Sequence, residues 1–257
     1  MNSGHISFIT KGKINSTGIH QKMDRIAYQV FGEYADRHLA GKKFFFPKLS
    51  KIIYFEGYNG PDGLKVKKGS SPYDKHHMWE PKKAEGHLMD WIEYHYTGLV
   101  SALKSKYALD SSFEASWLAH YLGDIVTPAH HYSKDILYLE KTTQHQTLNT
   151  KLSEQYRVTK NFADHIIFES GIASSLVLRK FNHIRFSDQI LNDIQSKGLK
   201  TAVNNLALKI QAQGLYDQYL KKGWSPKLYK QIRSQVVDQG IQLIAAVWYQ
   251  AVLDSRD

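Results

Sequence analysis

The sequence predicts a single all-α domain, a bundle of roughly eight helices. Three observations carry this. Apolar residues recur at three- and four-residue spacing along most of the chain, no stretch alternates for long between apolar and polar residues, and the strongest loop signal is confined to residues 57–81. At 257 residues the chain can bury one sizeable core, and a second domain of ordinary size would leave little for the first, so residues 1–257 are read as one domain.

The first helix is expected from residue 18 to about 39, on the spacing of Ile26, Val30, Phe31 and Tyr34, with Ser16 and Thr17 as its start and His20 in its opening turn. A short second helix follows Pro47 to about residue 55. Gly57, Gly60, Pro61, Gly63, Gly69, Ser70, Ser71 and Pro72 then mark a long loop, of the kind that tends to carry function. Helical spacing resumes over about residues 82–107, from Asp110 as N-cap to about 125, and over about 143–158 and onward to 181. Two further helices span about 187–213 and 226–253, the last with Leu228, Ile232, Val236, Leu243, Ile244, Val247 and Trp248 as its apolar positions.

The composition, 42% hydrophobic and 23% charged, is that of an ordinary globular protein, and no uninterrupted apolar run approaches the roughly 20 residues that span a bilayer. The net charge of +10 favours polyanionic partners: nucleic acid, anionic lipid head groups or phosphorylated substrates. The basic residues are scattered (Lys65, Lys67, Lys68; Lys82, Lys83; Lys221, Lys222), so charge alone does not choose among them. Absence of cysteine excludes disulfides, thiolate metal sites and a cysteine nucleophile. Any metal must therefore be held by nitrogen and oxygen. The first residues lack the apolar core of a signal peptide, so export would need a leader removed before Met1 or another route, and residence inside the cell stays open.

The chemistry centres on His120-Tyr-Leu-Gly-Asp124-Ile-Val-Thr-Pro-Ala-His130. Four residues apart on a helix, His120 and Asp124 project from one face and can meet one cation. Pro128 ends the helix, and His130 can turn back to the same place. His145 and Asn149 repeat the spacing further on. An isolated His-x-x-x-Asp pair is common on exposed helices, but Trp117, Leu118, Leu122 and Ile125 bury this one, and buried charges need a partner or a metal.

The segment resembles the signature of bacterial zinc-dependent phospholipases C, the group that includes the clostridial alpha-toxin. Other stretches match in order: Gly12-Lys-Ile-Asn-Ser-Thr-Gly-Ile-His20, Gly60-Pro-Asp62, His77-Met-Trp-Glu-Pro81, His145-Gln-Thr-Leu-Asn149 and the closing helix around Trp248. The likeness implies the multi-helix fold of the phospholipase C and zinc nuclease type, and a cluster of up to three zinc ions. Asp62, His77, His120 and Asp124 would hold one; His130, His145 and Asn149 a second; His20 and a bridging Asp124 a third. Asp62 would also accept the proton of the attacking water. His77 is preferred to His76 because it stands four before Pro81, and His130 to His131 because it stands six after Asp124.

Two departures from the family pattern leave room for fewer than three zincs. Thr10 stands where family members have a mature N-terminal tryptophan, and Asn149 where they have a glutamate, so an anionic ligand is replaced by a neutral carbonyl. Lys13 takes the place of an acid in choline-preferring members and would suit an anionic head group. The implied partner is a phospholipid at a membrane surface, met by a monomeric, peripheral and exported protein through its basic surface; Phe44, Phe45, Phe46 and Tyr58 are read first as core residues and second as membrane contacts. Two alternatives stand beside the phospholipase: a single-strand-specific zinc nuclease, and a non-catalytic relative that binds metal or lipid.

Overall fold

The computed structural model describes residues 18–57, 59–63, 75–131, 163–174, 181 and 183–256. Helices α1 (Ile19–His38) and α2 (Leu49–Glu56) precede a hairpin of two short strands, β1 (Trp79–Glu80) and β2 (Glu85–Gly86), with Trp79 opposite Gly86. Next come α3 (Leu88–Lys104), α4 (Ala108–Val126) and a helical stretch over residues 163–174, here α5. The chain continues through α6 (Asp188–Lys197), α7 (Leu199–Gln211), α8 (Leu215–Lys222), α9 (Pro226–Ile232) and α10 (Asp238–Asp254). The fold is all-α as the sequence predicts, and the hairpin is its only sheet among the described residues.

α4 is the axis of the bundle. Every residue from Leu118 to Val126 is buried, and α1, α2, α3 and α10 all pack on this helix. A helix buried all round needs small residues where neighbours approach, and Ala115, Ser116, Ala119 and Gly123 supply them. On the opposite wall, fully buried Trp248 of α10 donates its indole N–H to the Ala115 carbonyl at 3.1 Å. Its ring packs on Phe46, 5.5 Å between centroids, and Phe44, Phe45 and Phe46 lie half-buried against this core.

Several boundaries differ from the sequence reading, each for a local reason. Gly18, not Ser16 or Thr17, caps α1, and its N–H donates to the Gln21 side chain at 3.1 Å. Tyr107 rather than Asp110 caps α4, because Lys106, with φ 56°, breaks the chain direction just before it; Asp110 sits in the first turn. The helix expected from residue 82 starts only at Leu88, since Ala84 (φ 52°) and Gly86 fold residues 79–86 into the hairpin. The helix expected over 187–213 is two: Gly198 at φ 81°, ψ 156° leaves helical space and separates α6 from α7. Ser187 and Ser225 cap α6 and α9 through Ile190 and Leu228 N–H, and a π turn, Arg233–Val237, interrupts the closing helix. The helix expected over 143–158 lies outside the described residues.

The stretch Pro226–Asp254 is, by length and composition, apolar enough to cross a bilayer, with mean hydropathy 1.2 over its most apolar window, which the lack of an unbroken apolar run did not suggest. Of that window 72% is buried inside the fold, so the core accounts for its apolarity.

Trp248→Ala should therefore lower unfolding free energy by about 3–5 kcal/mol, the usual cost of removing a large buried ring. Denaturant unfolding checks this, and a loss below about 1 kcal/mol would contradict the packing described.

Candidate metal centre

The site is built where α1, α2, α4, α5 and two tight turns meet. α1 brings His20 and Asp24 on one face of its first turns, and α2 ends on Glu56. Asp62 lies in the turn over residues 61–63, and His77 closes a 3-10 turn, Lys75–His77. α4 carries His120 and Asp124. After it, Thr127 ends the helix, its hydroxyl donating to the Gly123 carbonyl, and the 3-10 turn Pro128–His131 folds the chain back. Gly123 is required by the packing: a Cβ there would stand 2.7 Å from His20 Nδ1. α1 and α4 can bring their histidines together only because that side chain is missing.

Asp124 is the hub. Its Oδ1 lies 3.3 Å from His20 Nε2 and 3.3 Å from His130 Nε2, and its Oδ2 lies 2.6 Å from His77 Nδ1 and 3.4 Å from His120 Nε2. Burial pushes this carboxyl's pKa up, but the charges of His130, His120 and His77 and the hydrogen bond from His20 outweigh that and hold it well below the ordinary range. His20 mirrors the effect. Burial disfavours its charged ring, yet the Asp124 hydrogen bond and the charges of Asp124, Glu56 and Asp62 lift its pKa from 6.5 to about 10.

His130 also lies 2.9 Å from Glu169 Oε1, to which His165 Nε2 comes within 3.0 Å. Glu169 is buried, its Oε2 has no hydrogen-bond partner, and the charges of His165 and His130 bring its pKa down to about 2 against the cost of burial. On the far side, Glu56 Oε1 accepts from His120 Nδ1 at 2.8 Å. Asp24 is wholly buried with no partner for either oxygen; burial, and then the Glu56 charge, push its pKa well up and favour its neutral form.

Three groups of ligand atoms fall within 4.8 Å of one another: His20, Asp62 and His120; His77, His120 and Asp124; and His130, His165 and Glu169. The residues fit a divalent cation on two grounds. With Glu56 taking the Nδ1 proton, a neutral His120 turns the bare lone pair of Nε2 toward Asp124, His77 Nδ1 at 3.4 Å and Asp62 Oδ1 at 4.0 Å, an arrangement that a cation between them resolves. Ligands about 2.0–2.1 Å from a tetrahedral ion stand about 3.3 Å apart. The contacts of His20, His120 and His130 with Asp124, at 3.3–3.4 Å, have that spacing. Imidazole and carboxylate donors of this kind suit several divalent transition metals.

Of the residues singled out from sequence, His20, Asp62, His77, His120, Asp124 and His130 converge. Thr10, Lys13, His145 and Asn149 lie outside the described residues. His131 does not face the cluster: its Nε2 donates to the Ile125 carbonyl at 2.7 Å, and burial brings its pKa down to about 4. His76 packs against Trp91, its ring tilted by 34° at 4.7 Å between centroids. The sequence reading missed His165, Glu169, Glu56 and Asp24. The first two were legible, since His165-Ile-Ile-Phe-Glu169 is itself a His-x-x-x-Glu stretch.

The sequence matches no family profile and no curated protein. Among solved structures the chain is similar to one described as "Alpha Toxin from Clostridium Absonum", with a TM-score of 0.61 and 14% identity over 96% of this chain and 66% of that one. The likeness is one of fold, and the chain spans just under two thirds of the toxin's length.

The depressed carboxyl of Glu169 gives a testable pH dependence. Its stabilising effect is present above pH 4.5 and is lost as the pH falls toward about 2. In chelator, native protein should exceed Glu169→Gln in stability near neutrality, and the gap should narrow below pH 4.5. Denaturant midpoints across pH measure it, and a constant gap would refute the pairing with His130 and His165.

Proposed function

We propose that the protein is a zinc-dependent phosphodiester hydrolase, a phospholipase C that cleaves glycerophospholipids to diacylglycerol and a phosphorylated head group. The observation that carries the reading is the convergence of His20, Asp62, His77, His120, Asp124, His130, His165 and Glu169 on one polar centre inside an all-helical bundle. The sequence resemblance to zinc phospholipases C and the likeness in fold to an alpha toxin point the same way.

In this reading Asp62, His77, His120 and Asp124 hold one ion, and His130, His165 and Glu169 hold another. His20 and the second oxygen of Asp124 serve a third. His120 Nε2 can serve one ion only, so the two groups that share it describe one site. His165 and Glu169 replace His145 and Asn149 in this assignment, which restores an anionic ligand. Bound zinc would lower the pKa of a water to about 7 and offset charge developing on the phosphodiester.

The chain's own residues set the direction of attack. Asp62 and His165, with side chains 14% and 19% exposed, are the most open members of the centre, whereas His120 and Asp124 are sealed from solvent. The phosphodiester therefore enters past Asp62 and His165, and Asp62 is placed to accept the proton of the attacking water. The expected partner is a membrane phospholipid met by an exported, peripheral protein. A nuclease is the second reading, favoured by the net charge of +10.

Elemental analysis should find more than one zinc per chain. His165→Ala and Glu169→Gln should each reduce that content, while His145→Ala and Asn149→Glu leave it unchanged; the reverse pattern would restore the assignment to residues 145 and 149. Zinc-loaded protein should hydrolyse phosphatidylglycerol and phosphatidylcholine vesicles faster than single-stranded DNA, and Asp62→Asn, which takes an anionic ligand and the proton acceptor from the centre, should lower the zinc content and abolish turnover. Preference for DNA would select the nuclease, and no turnover of either would leave a binding protein.

A further inference from the structure

Glu56 belongs to none of the ligand groups, yet it is 4% exposed and its carboxylate meets a ligand histidine. A carboxylate buried at the end of a helix is costly unless its charge is used. Its Oε1 accepts a hydrogen bond from His120 Nδ1 at 2.8 Å, across 64 residues of sequence. That bond selects one tautomer of His120 and fixes its ring plane, so that the Nε2 lone pair faces Asp124, His77 and Asp62. It also leaves His120 a stronger donor to a cation, because the anion behind the ring offsets the charge that ligation draws from it.

We infer that Glu56 is a positioning residue for metal binding, which holds His120 in its ligating tautomer and orientation without touching the ion. This rests on the proposed metal centre, and it adds a residue that no part of the sequence pattern marks. Two features set Glu56 apart from an ordinary buried pair. His120 is the member that two of the three ligand groups share, so a rotated ring would disturb the one site that they describe. Asp24 lies buried nearby with no hydrogen-bond partner for either oxygen, so Glu56 is the carboxylate that reaches His120.

The test is zinc affinity by chelator competition on the full chain, with thermal unfolding of the zinc-free proteins alongside. Glu56→Leu should weaken the tightest-held zinc that involves His120 by about 10–100-fold, and Glu56→Gln, which keeps an oxygen acceptor, should recover most of that loss. His130, His165 and Glu169 should keep their own ion in both variants. Native affinity in Glu56→Leu overturns the inference alone. A shift in zinc-free melting with no change in affinity in either variant also overturns it, because it assigns Glu56 a merely structural role. Native protein that takes up no zinc removes the inference together with the metal centre it rests on.

Discussion

The structure depends on one buried carboxylate. Asp124 sits on the most enclosed helix of the bundle, and both of its oxygens face two imidazole nitrogens each. A lone carboxylate at that depth would be prohibitively costly, so the surrounding histidines are a condition of its burial. They come from α1, from α4 and from turns on either side of it. Asp124 thus fixes where those elements end and how closely they approach, and Gly123 beside it is the steric counterpart of the same constraint.

Such a centre contributes little to stability by itself, because desolvation of the charged groups offsets most of their attraction. The apolar layers around it carry the fold. α4 buries Leu118, Leu122 and Ile125 completely, and α10 closes the opposite wall with Ile244, Val247 and Trp248. This division of labour explains why the buried C-terminal half of α4 can hold a histidine and an aspartate: the residues around them, Leu118, Ala119, Leu122, Gly123 and Ile125, are apolar or small. The closing helix is apolar to the point of satisfying membrane-span criteria for the same reason, since it packs on α4 and α1.

How much of this was legible in the sequence follows from the range of each interaction. The pairing of His120 with Asp124 is local, four residues on one helix, and periodicity exposes it. The return of His130 was readable from Pro128, which cannot continue the helix. Breaks at Gly198 and at residues 84–86 were not read, because helical spacing runs across them and only the backbone angle reveals the turn. The resemblance pointed to residues 145 and 149 as partners of His130, and these lie outside the described residues; among the described residues His165 and Glu169 stand beside it, a pair whose spacing was present in the sequence but not singled out. Glu56 has no local signature at all. Its meaning comes from a contact with His120 that only the assembled bundle creates, and the same is true of Asp24, whose lack of a partner is a property of its surroundings.

The carboxylates of the centre also decide what competes for it. Asp124, Glu56 and Asp62 draw positive charge onto the histidines strongly enough to raise His20 to about 10, so in the protein alone protons gather where a cation would be held. Binding a divalent ion must release them, and affinity must fall as the medium becomes acidic. The competition is uneven across the site. Burial disfavours the Glu169 carboxylate, but His165 and His130 bring its pKa down to about 2, so this oxygen ligand stays available to a cation across the acid range above that. Asp62 and His165 are the members most open to solvent. Asp124, sealed among four rings and held well below the ordinary carboxylate range, stays an anion as the medium turns mildly acidic, so the member that organises the fold also keeps a charge for the cation to meet.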